Sequence, residues 1–125
     1  MKTINYKETE SYKKCIKKLK KRFITLDKDI ENFKQYVLEL HFNQSMATDA
    51  FTKIEGCCNE KYDAYKVKKF ACKSLKTKGN RSGIRIIFLV DKSVTGCINI
   101  TFIEIYYKGD KEMNDMELLR LEILK

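Results

Sequence analysis

Residues 65–111 read YKVKKFACKSLKTKGNRSGIRIIFLVDKSVTGCINITFIEIYYKGDK, and this stretch decides the fold class. Two apolar runs within it, IRIIFLV at residues 84–90 and CINITFIEIYY at residues 97–107, are rich in the β-branched and aromatic residues that are typical of strands. The six residues DKSVTG between the two runs suit a hairpin connection. We therefore predict two consecutive, antiparallel strands in this part of the chain.

Two further segments have the period of two that indicates a strand. Residues 65–73 form a candidate strand with Lys66 and Lys68 on one face, and residues 2–9 alternate weakly, as expected for a short first strand. The segment KTKGNRS at residues 76–82 contains turn-forming residues and is predicted to be a loop. Residues 44–63 have no period that assigns them to an element.

Three segments have helical periodicity. Ser11 is a plausible N-cap for a helix that runs to about Phe23, and a second helix is expected from about Leu26 until the pattern fades near residues 43–44. Helical spacing returns over residues 111–125. The predicted order is β-α-α-β-β-β-α, an α+β fold in which the two N-terminal helices pack on one face of an antiparallel sheet. That packing joins two sets of apolar side chains, Leu19, Phe23, Phe33 and Val37 on the helices and Ile86, Phe88, Ile100 and Phe102 on the strands.

The charge of the chain restricts its partners. Its 125 residues carry a formal net charge of +9, and residues 61–85 contain nine Lys or Arg against one acid, Asp63. Such a charge favours nucleic acid, an anionic membrane surface or an acidic protein as the partner. The length predicts one domain over residues 1–125. The sequence shows no signal-peptide core and no apolar run of about 18 residues, so we expect a cytoplasmic protein with no membrane partner.

The five cysteines form no metal-ligand pattern. Their number is odd and no CxxC motif is present, which favours reduced thiols. The adjacent pair Cys57 and Cys58 leaves a redox or metal-binding role open, but the only histidine, His41, argues against a zinc site.

Three blocks of the sequence resemble the RelE/ParE superfamily of bacterial type II toxins: KKLKKRF at residues 17–23, KKFACKSLKTKGNRSGIRIIF at 68–88 and FIEIYYKGDKE at 102–112. The similarity is closest to the RelE-type mRNA interferase branch and covers almost the whole chain except residues 44–63. It implies a microbial-RNase-type fold, with two N-terminal helices on one face of a twisted antiparallel sheet and the opposite face open. It also implies a toxin that acts on mRNA at the ribosome, contacts ribosomal RNA and is neutralised by a cognate acidic antitoxin.

The residues contain no Ser/His/Asp set, no Gly-rich phosphate loop and no metal-ligand spacing. RNA cleavage does not require these features, because the 2′-hydroxyl beside each phosphodiester is an internal nucleophile. A protein accelerates its attack by holding the phosphate in line and by stabilising the developing charge, for which the planar fork of arginine is well suited. A lysine among other cations has a lowered pKa and can share in proton transfer. The resemblance implies such a metal-independent endoribonuclease, which needs no cofactor.

The resemblance also suggests individual site residues. Arg85 follows Gly83 and Ile84 at the position where the family carries an arginine that contacts the scissile phosphate. The predicted catalytic residues are Arg85, Lys66, Lys68 and Lys108, and the predicted RNA-binding residues are Lys69, Lys73, Lys76, Lys78, Arg81 and Tyr107. Because the interval between YKVK and SGIR is longer than in the shortest members, Lys69 or Lys73 is an alternative to Lys66 or Lys68.

The sequence is compatible with several alternatives. Strict strand alternation groups Tyr107 with Ile105 and Ile103 and groups Tyr106 with Glu104 and Phe102, without showing which face is open. The lysine-rich face of the first helix either binds ribosomal RNA or is simply solvated. The segment after the last strand lacks a tyrosine that some active members carry. A ParE-like toxin acting on DNA gyrase and a non-catalytic RNA-binding relative are the alternative functions.

Overall fold

The computed structural model describes residues 2–75, 79, 81–111 and 114–124. The elements are β1 (Thr3–Glu8), α1 (Glu10–Arg22), α2 (Leu26–Phe33), α3 (Glu39–Gln44), β2 (Phe51–Lys53), β3 (Tyr62–Val67), β4 (Ile84–Asp91), β5 (Cys97–Tyr107) and α4 (Met116–Leu124), with a 3₁₀ turn at Lys73–Leu75. A π-helical segment, Lys34–Leu38, joins α2 to α3, so that residues 26–44 form one continuous helical rod.

The strands form one five-stranded sheet in the order β1-β5-β4-β3-β2. The α+β class and the antiparallel β4–β5 pair are confirmed, but the prediction of a wholly antiparallel sheet is wrong because β1 pairs with β5 in parallel. Thr9 continues this pairing, since its N–H donates to the Phe102 carbonyl at 3.1 Å, and α1 begins at the next residue. The parallel direction of β1 therefore determines where α1 begins relative to the sheet. The alternation of residues along β1 does not indicate whether the strand runs parallel or antiparallel to its neighbour.

The first helix begins earlier than the sequence predicts. Thr9, rather than Ser11, is the N-cap: its hydroxyl oxygen accepts from the Tyr12 N–H at 3.1 Å. The same hydroxyl donates to the Ile103 carbonyl at 3.1 Å. Both residues are able to cap a helix, and the contact of Thr9 with β5 decides between them.

The boundaries near β2 and β3 also differ from the prediction. The unassigned residues 44–63 contain β2, which pairs antiparallel with β3. The predicted strand at 65–73 instead spans Tyr62–Val67. It ends there because the N–H groups of Lys68 and Lys69 both donate to the Ala50 carbonyl, at 2.8 and 3.1 Å, which turns the chain away from β4.

The main core lies between the helices and one face of the sheet, as the sequence predicts. The expected helix and strand residues all belong to this core, with Val37 only partly buried. A second, smaller core lies on the opposite face, where Leu119 of α4 packs against Ile87, Leu89 and Ile103. The α4 helix therefore covers part of the face that the resemblance implies to be open.

A β-bulge changes the faces of β5. The β4–β5 register shifts between Ile87 and Phe88, which places one additional β5 residue, Ile103, between the paired residues Phe102 and Glu104. Ile103 packs in the second core, whereas Phe102 and Ile105 pack in the main core. Tyr106 and Tyr107 do point to opposite faces, but grouping Tyr107 with Ile103, and Tyr106 with Phe102, is wrong.

Within the described ranges, no helix is both long enough and apolar enough to cross a membrane. The five cysteines form no disulfide: Cys57 and Cys72 are buried, Cys58 is exposed, and Cys15 and Cys97 are half-buried.

Candidate functional site

Polar and charged side chains gather on the sheet face opposite α1 and α2. Arg85 lies directly across from Tyr106, and Ile87, two residues along β4, is flanked by Lys66 on β3 and Glu104 on β5. Because cross-strand neighbours and alternate residues share a face, these side chains lie together. We call Lys66, Arg85, Glu104, Tyr106 and Lys111 the sheet-face cluster.

Arg85, like Lys66, is a cation of this cluster that has no carboxylate partner within the described residues. Its Nη1 donates to the carbonyl oxygen of Lys68 at 2.7 Å, which fixes the guanidinium at the end of β3. No ion pair to Arg85 forms among residues 2–75, 79, 81–111 and 114–124. Guanidinium has five N–H donors, so the donors that remain are suited to a phosphate.

Tyr106 lies between two cations. The Nζ atoms of Lys66 and Lys111 are 5.8 and 5.6 Å from its ring centroid, within the range of a cation–π contact. Only 6% of Tyr106 is exposed, and its hydroxyl has no hydrogen-bond partner in the described part of the chain. A buried hydroxyl without a partner is energetically unfavourable, because it has lost its hydrogen bonds to water.

Glu104 is the anion of the cluster and is itself neutralised. It is 3% exposed; one carboxylate oxygen accepts from the Lys111 ammonium and the other accepts from the Asp115 N–H at 2.8 Å. Partial burial alone would lower the pKa of Lys111, but the hydrogen bond to Glu104 and its negative charge raise that pKa above its ordinary value. Glu104 therefore holds the segment that leads into α4, and its charge is neutralised by Lys111. Within the described residues Arg85 and Lys66 are left without an ion pair.

All four predicted catalytic residues lie at the end of the sheet where β4 begins. Lys66 and Arg85 belong to the cluster, and Lys68 supplies the carbonyl that holds Arg85. Lys108 follows β5 and its N–H donates to the Gly83 carbonyl at 2.8 Å. Gly83 has φ +86°, and a Cβ there would lie 3.3 Å from Tyr107 Cε1, so this position beside the site favours glycine.

The predicted RNA-binding residues do not form one group. Lys69 pairs with Asp49 and lines a separate cleft together with Lys73. Arg81 is exposed and lies in an isolated bridge with Phe70. The predicted residues Lys76 and Lys78 lie outside the described residues.

Tyr107 lies on the helix side of the sheet. Its ring centroid is 5.2 Å from that of Phe23, and the Arg22 guanidinium lies 5.2 Å from its centroid. It is therefore on the opposite face from Arg85. The sequence predicts Tyr107 at the site, but the tyrosine on the same face as Arg85 is Tyr106. Two features determine this: the bulge at Ile103 and the packing of Tyr107 on Phe23.

Two other members of the cluster were not predicted. Glu104 interrupts an otherwise apolar strand, and this was the one sequence signal that could have marked it for a special role. Lys111 has no such signal, since its place depends on how the chain turns after β5 towards α4. Its contact with Glu104 is made across that turn.

Comparisons with protein-family models, with curated proteins and with solved structures found no match to this chain. The likeness to the RelE/ParE superfamily thus rests on the sequence blocks, and the chemistry of the site rests on the geometry described above.

Proposed function

We propose that this protein is a RelE-type toxin that cleaves mRNA on the ribosome. The observation that carries the proposal is the position of Arg85: a guanidinium with no carboxylate partner in the described structure, on the same sheet face as Lys66 and across the β4–β5 pair from Tyr106. These groups together offer several donors to one phosphodiester. The sequence blocks that resemble the RelE branch support the same conclusion independently.

In the proposed reaction the RNA supplies its own nucleophile. The 2′-oxygen attacks the adjacent phosphorus, the bond from phosphorus to the 5′-oxygen breaks, and the products are a 2′,3′-cyclic phosphate and a 5′-hydroxyl. Arg85 binds the non-bridging oxygens in its fork. The Tyr106 hydroxyl donates to one of them once the Lys66 and Lys111 side chains that flank its ring move towards the RNA. Lys66, with Lys108 at the same end of the sheet, adds positive charge and a route for the proton that the 2′-hydroxyl loses and the leaving oxygen gains.

The distribution of charge on α1 supports a second contact with the ribosome. Among the described residues no ion pair forms to four of its lysines, Lys14, Lys17, Lys18 and Lys21. A row of unpaired lysines binds an RNA backbone with an affinity that falls as salt rises. We assign this row to ribosomal RNA, and we propose that a cognate acidic antitoxin covers the sheet-face cluster or displaces α4.

The decisive experiment is induced expression followed by primer extension on reporter mRNAs. New 5′ ends should appear within reading frames, and a reporter whose start codon is removed should stay intact because it is not translated. Co-expression with the adjacent gene should suppress the cuts if that gene encodes the antitoxin. Growth arrest without cut mRNA would contradict the proposal and favour the gyrase-directed alternative; neither arrest nor cutting would favour a non-catalytic RNA-binding protein.

A further inference from the structure

A cleft of about 400 Å³ lies between the helical rod and the loops that flank β2 and β3. Its walls include Asn32, Phe33 and Tyr36 on the helical side and Asp49, Lys69 and Lys73 on the loop side. Its volume is within the range of about 300–1,000 Å³ that is typical of small-molecule sites. No member of the sheet-face cluster lines it.

Tyr36 gives this cleft an exposed aromatic wall. It is 62% exposed and lies in the π-helical segment Lys34–Leu38. A π-helical turn is rare inside a helix and is frequently found at functional sites. An exposed ring at such a turn is available for stacking against a flat ligand, whereas Phe33 is buried and belongs to the core.

The charged groups of the cleft differ in the hydrogen bonds and ion pairs that they form with the rest of the protein. The hydrogen bond from Lys69, and then its positive charge, lower the pKa of Asp49, so that this carboxylate is ionised and paired. Asp29 is 3% exposed, and its Oδ2 accepts from the Thr25 hydroxyl at 2.7 Å and the Lys73 N–H at 3.1 Å. The Lys73 ammonium, in contrast, forms no ion pair within the described segments.

We propose that this cleft binds a nucleotide, either free or as part of an RNA strand. Two carboxylates and two ammonium groups make its lining formally neutral, which disfavours a simple inorganic anion. A nucleotide matches the lining better because it carries a flat base, hydroxyl donors and a phosphate. The base stacks on Tyr36, the ribose hydroxyls donate to Asp49, and the phosphate binds the Lys73 ammonium.

Binding of this kind requires no cleavage at Arg85 and is measurable on the isolated protein. Isothermal titration with AMP should give one saturable site, while adenosine and ribose 5-phosphate should bind more weakly and inorganic phosphate should not bind. The variant Y36A should weaken AMP binding by roughly 5- to 150-fold, the range expected from losing one base–aromatic stack. Y36F, which keeps the ring, should bind as the wild type does.

K73A should reduce both AMP affinity and its dependence on salt, because the phosphate contact is lost. K28A is the matched control: it removes an exposed lysine of α2 that does not line the cleft and should bind AMP normally. Circular dichroism checks that each variant is folded. Titration with an oligoadenylate distinguishes a free nucleotide from an RNA strand as the natural ligand. If the oligoadenylate binds much more tightly than AMP, and Y36A weakens both to the same extent, the natural ligand is RNA.

Two results would overturn this assignment. The first is the absence of saturable AMP or oligoadenylate binding to the folded wild type. The second is AMP binding that survives Y36A and K73A but is lost in R85A, because the nucleotide then occupies the sheet-face cluster. Since no ribosome or cleavage is involved, failure of the proposed nuclease function leaves these measurements interpretable.

Discussion

Arg85 and Tyr106 face each other across the β4–β5 pair, and the Tyr106 hydroxyl is buried without a hydrogen-bond partner in the described structure. The Arg85 side chain, which forms no ion pair among the described residues, thus shares one face of the sheet with Tyr106. The phosphate of the proposed substrate supplies what both groups lack, negative charge for Arg85 and acceptor oxygens for Tyr106. This relationship makes the two residues the sharpest test of the proposed chemistry.

The variant R85A should abolish growth arrest while the protein stays folded. Loss of one preorganised donor to a developing charge typically costs about 10²–10³ in rate. R85K should restore only part of the activity because an ammonium lacks the bidentate fork. The measurement is the rate of mRNA cleavage on purified ribosomes, with K28A as a control that removes one positive charge elsewhere. Cleavage by R85A at the wild-type rate would show that the site is wrongly assigned.

The variant Y106F separates a functional hydroxyl from a structural one. If the hydroxyl donates to the phosphate, cleavage should slow by roughly 10- to 150-fold, as expected for a hydrogen bond to a charged group. Stability should stay the same or rise, because the removed hydroxyl has no partner to lose.

Tyr12 supplies the matched control for Y106F. It is fully buried on the helix side of the sheet, and its hydroxyl also has no partner among the described residues. Y12F should therefore behave as Y106F does in urea unfolding but leave cleavage unchanged. Equal cleavage by Y106F and Y12F would remove Tyr106 from the mechanism.

The sequence predicts the parts of this fold that depend on local pattern. The β4–β5 hairpin and the apolar stripe containing Leu19 and Phe23 follow from periodicity, and their packing on Phe88 and Phe102 is as expected. The parallel pairing of β1 was not predictable, because a short alternating strand specifies which residues face the core but not the direction of its neighbour.

The site could be predicted only in part for a similar reason. Arg85 is a candidate from its sequence block alone, whereas the face of Tyr106 depends on one bulged residue, Ile103, that interrupts the alternation of β5. Lys111 reaches Glu104 only because the chain turns after β5 and α4 packs on the sheet. These are tertiary contacts, and periodicity along one strand does not contain them.

Removing Lys111 from its ion pair with Glu104 should lower the free energy of unfolding more than removing Glu104 does. The Glu104 side chain is 4% exposed and that of Lys111 is 44% exposed. K111M leaves a buried carboxylate without its counter-ion and should lower the free energy of unfolding by about 3 kcal/mol. E104Q leaves an ammonium that water can reach and should cost less. The double variant should recover much of the loss seen in K111M. Urea unfolding at pH 7 gives all three values, and equal losses in the two single variants would contradict this account.

The buried Tyr12 hydroxyl should cause the free energy of unfolding to fall at alkaline pH. Burial, followed by the negative charge of Glu8 and other nearby acids, raises the pKa of Tyr12 above its ordinary value. Above about pH 10 the unfolded chain releases this proton while the folded protein retains it. The unfolded state then binds fewer protons, so the free energy of unfolding falls as pH rises, by up to about 1.4 kcal/mol per pH unit from this residue. Below pH 10 both states are protonated and the residue has no effect on the pH profile.

The variant Y12F should flatten the decline in the free energy of unfolding between pH 10 and 12, as measured by urea unfolding. An identical slope in Y12F and the wild type would show that the Tyr12 hydroxyl reaches water or an acceptor in the folded protein.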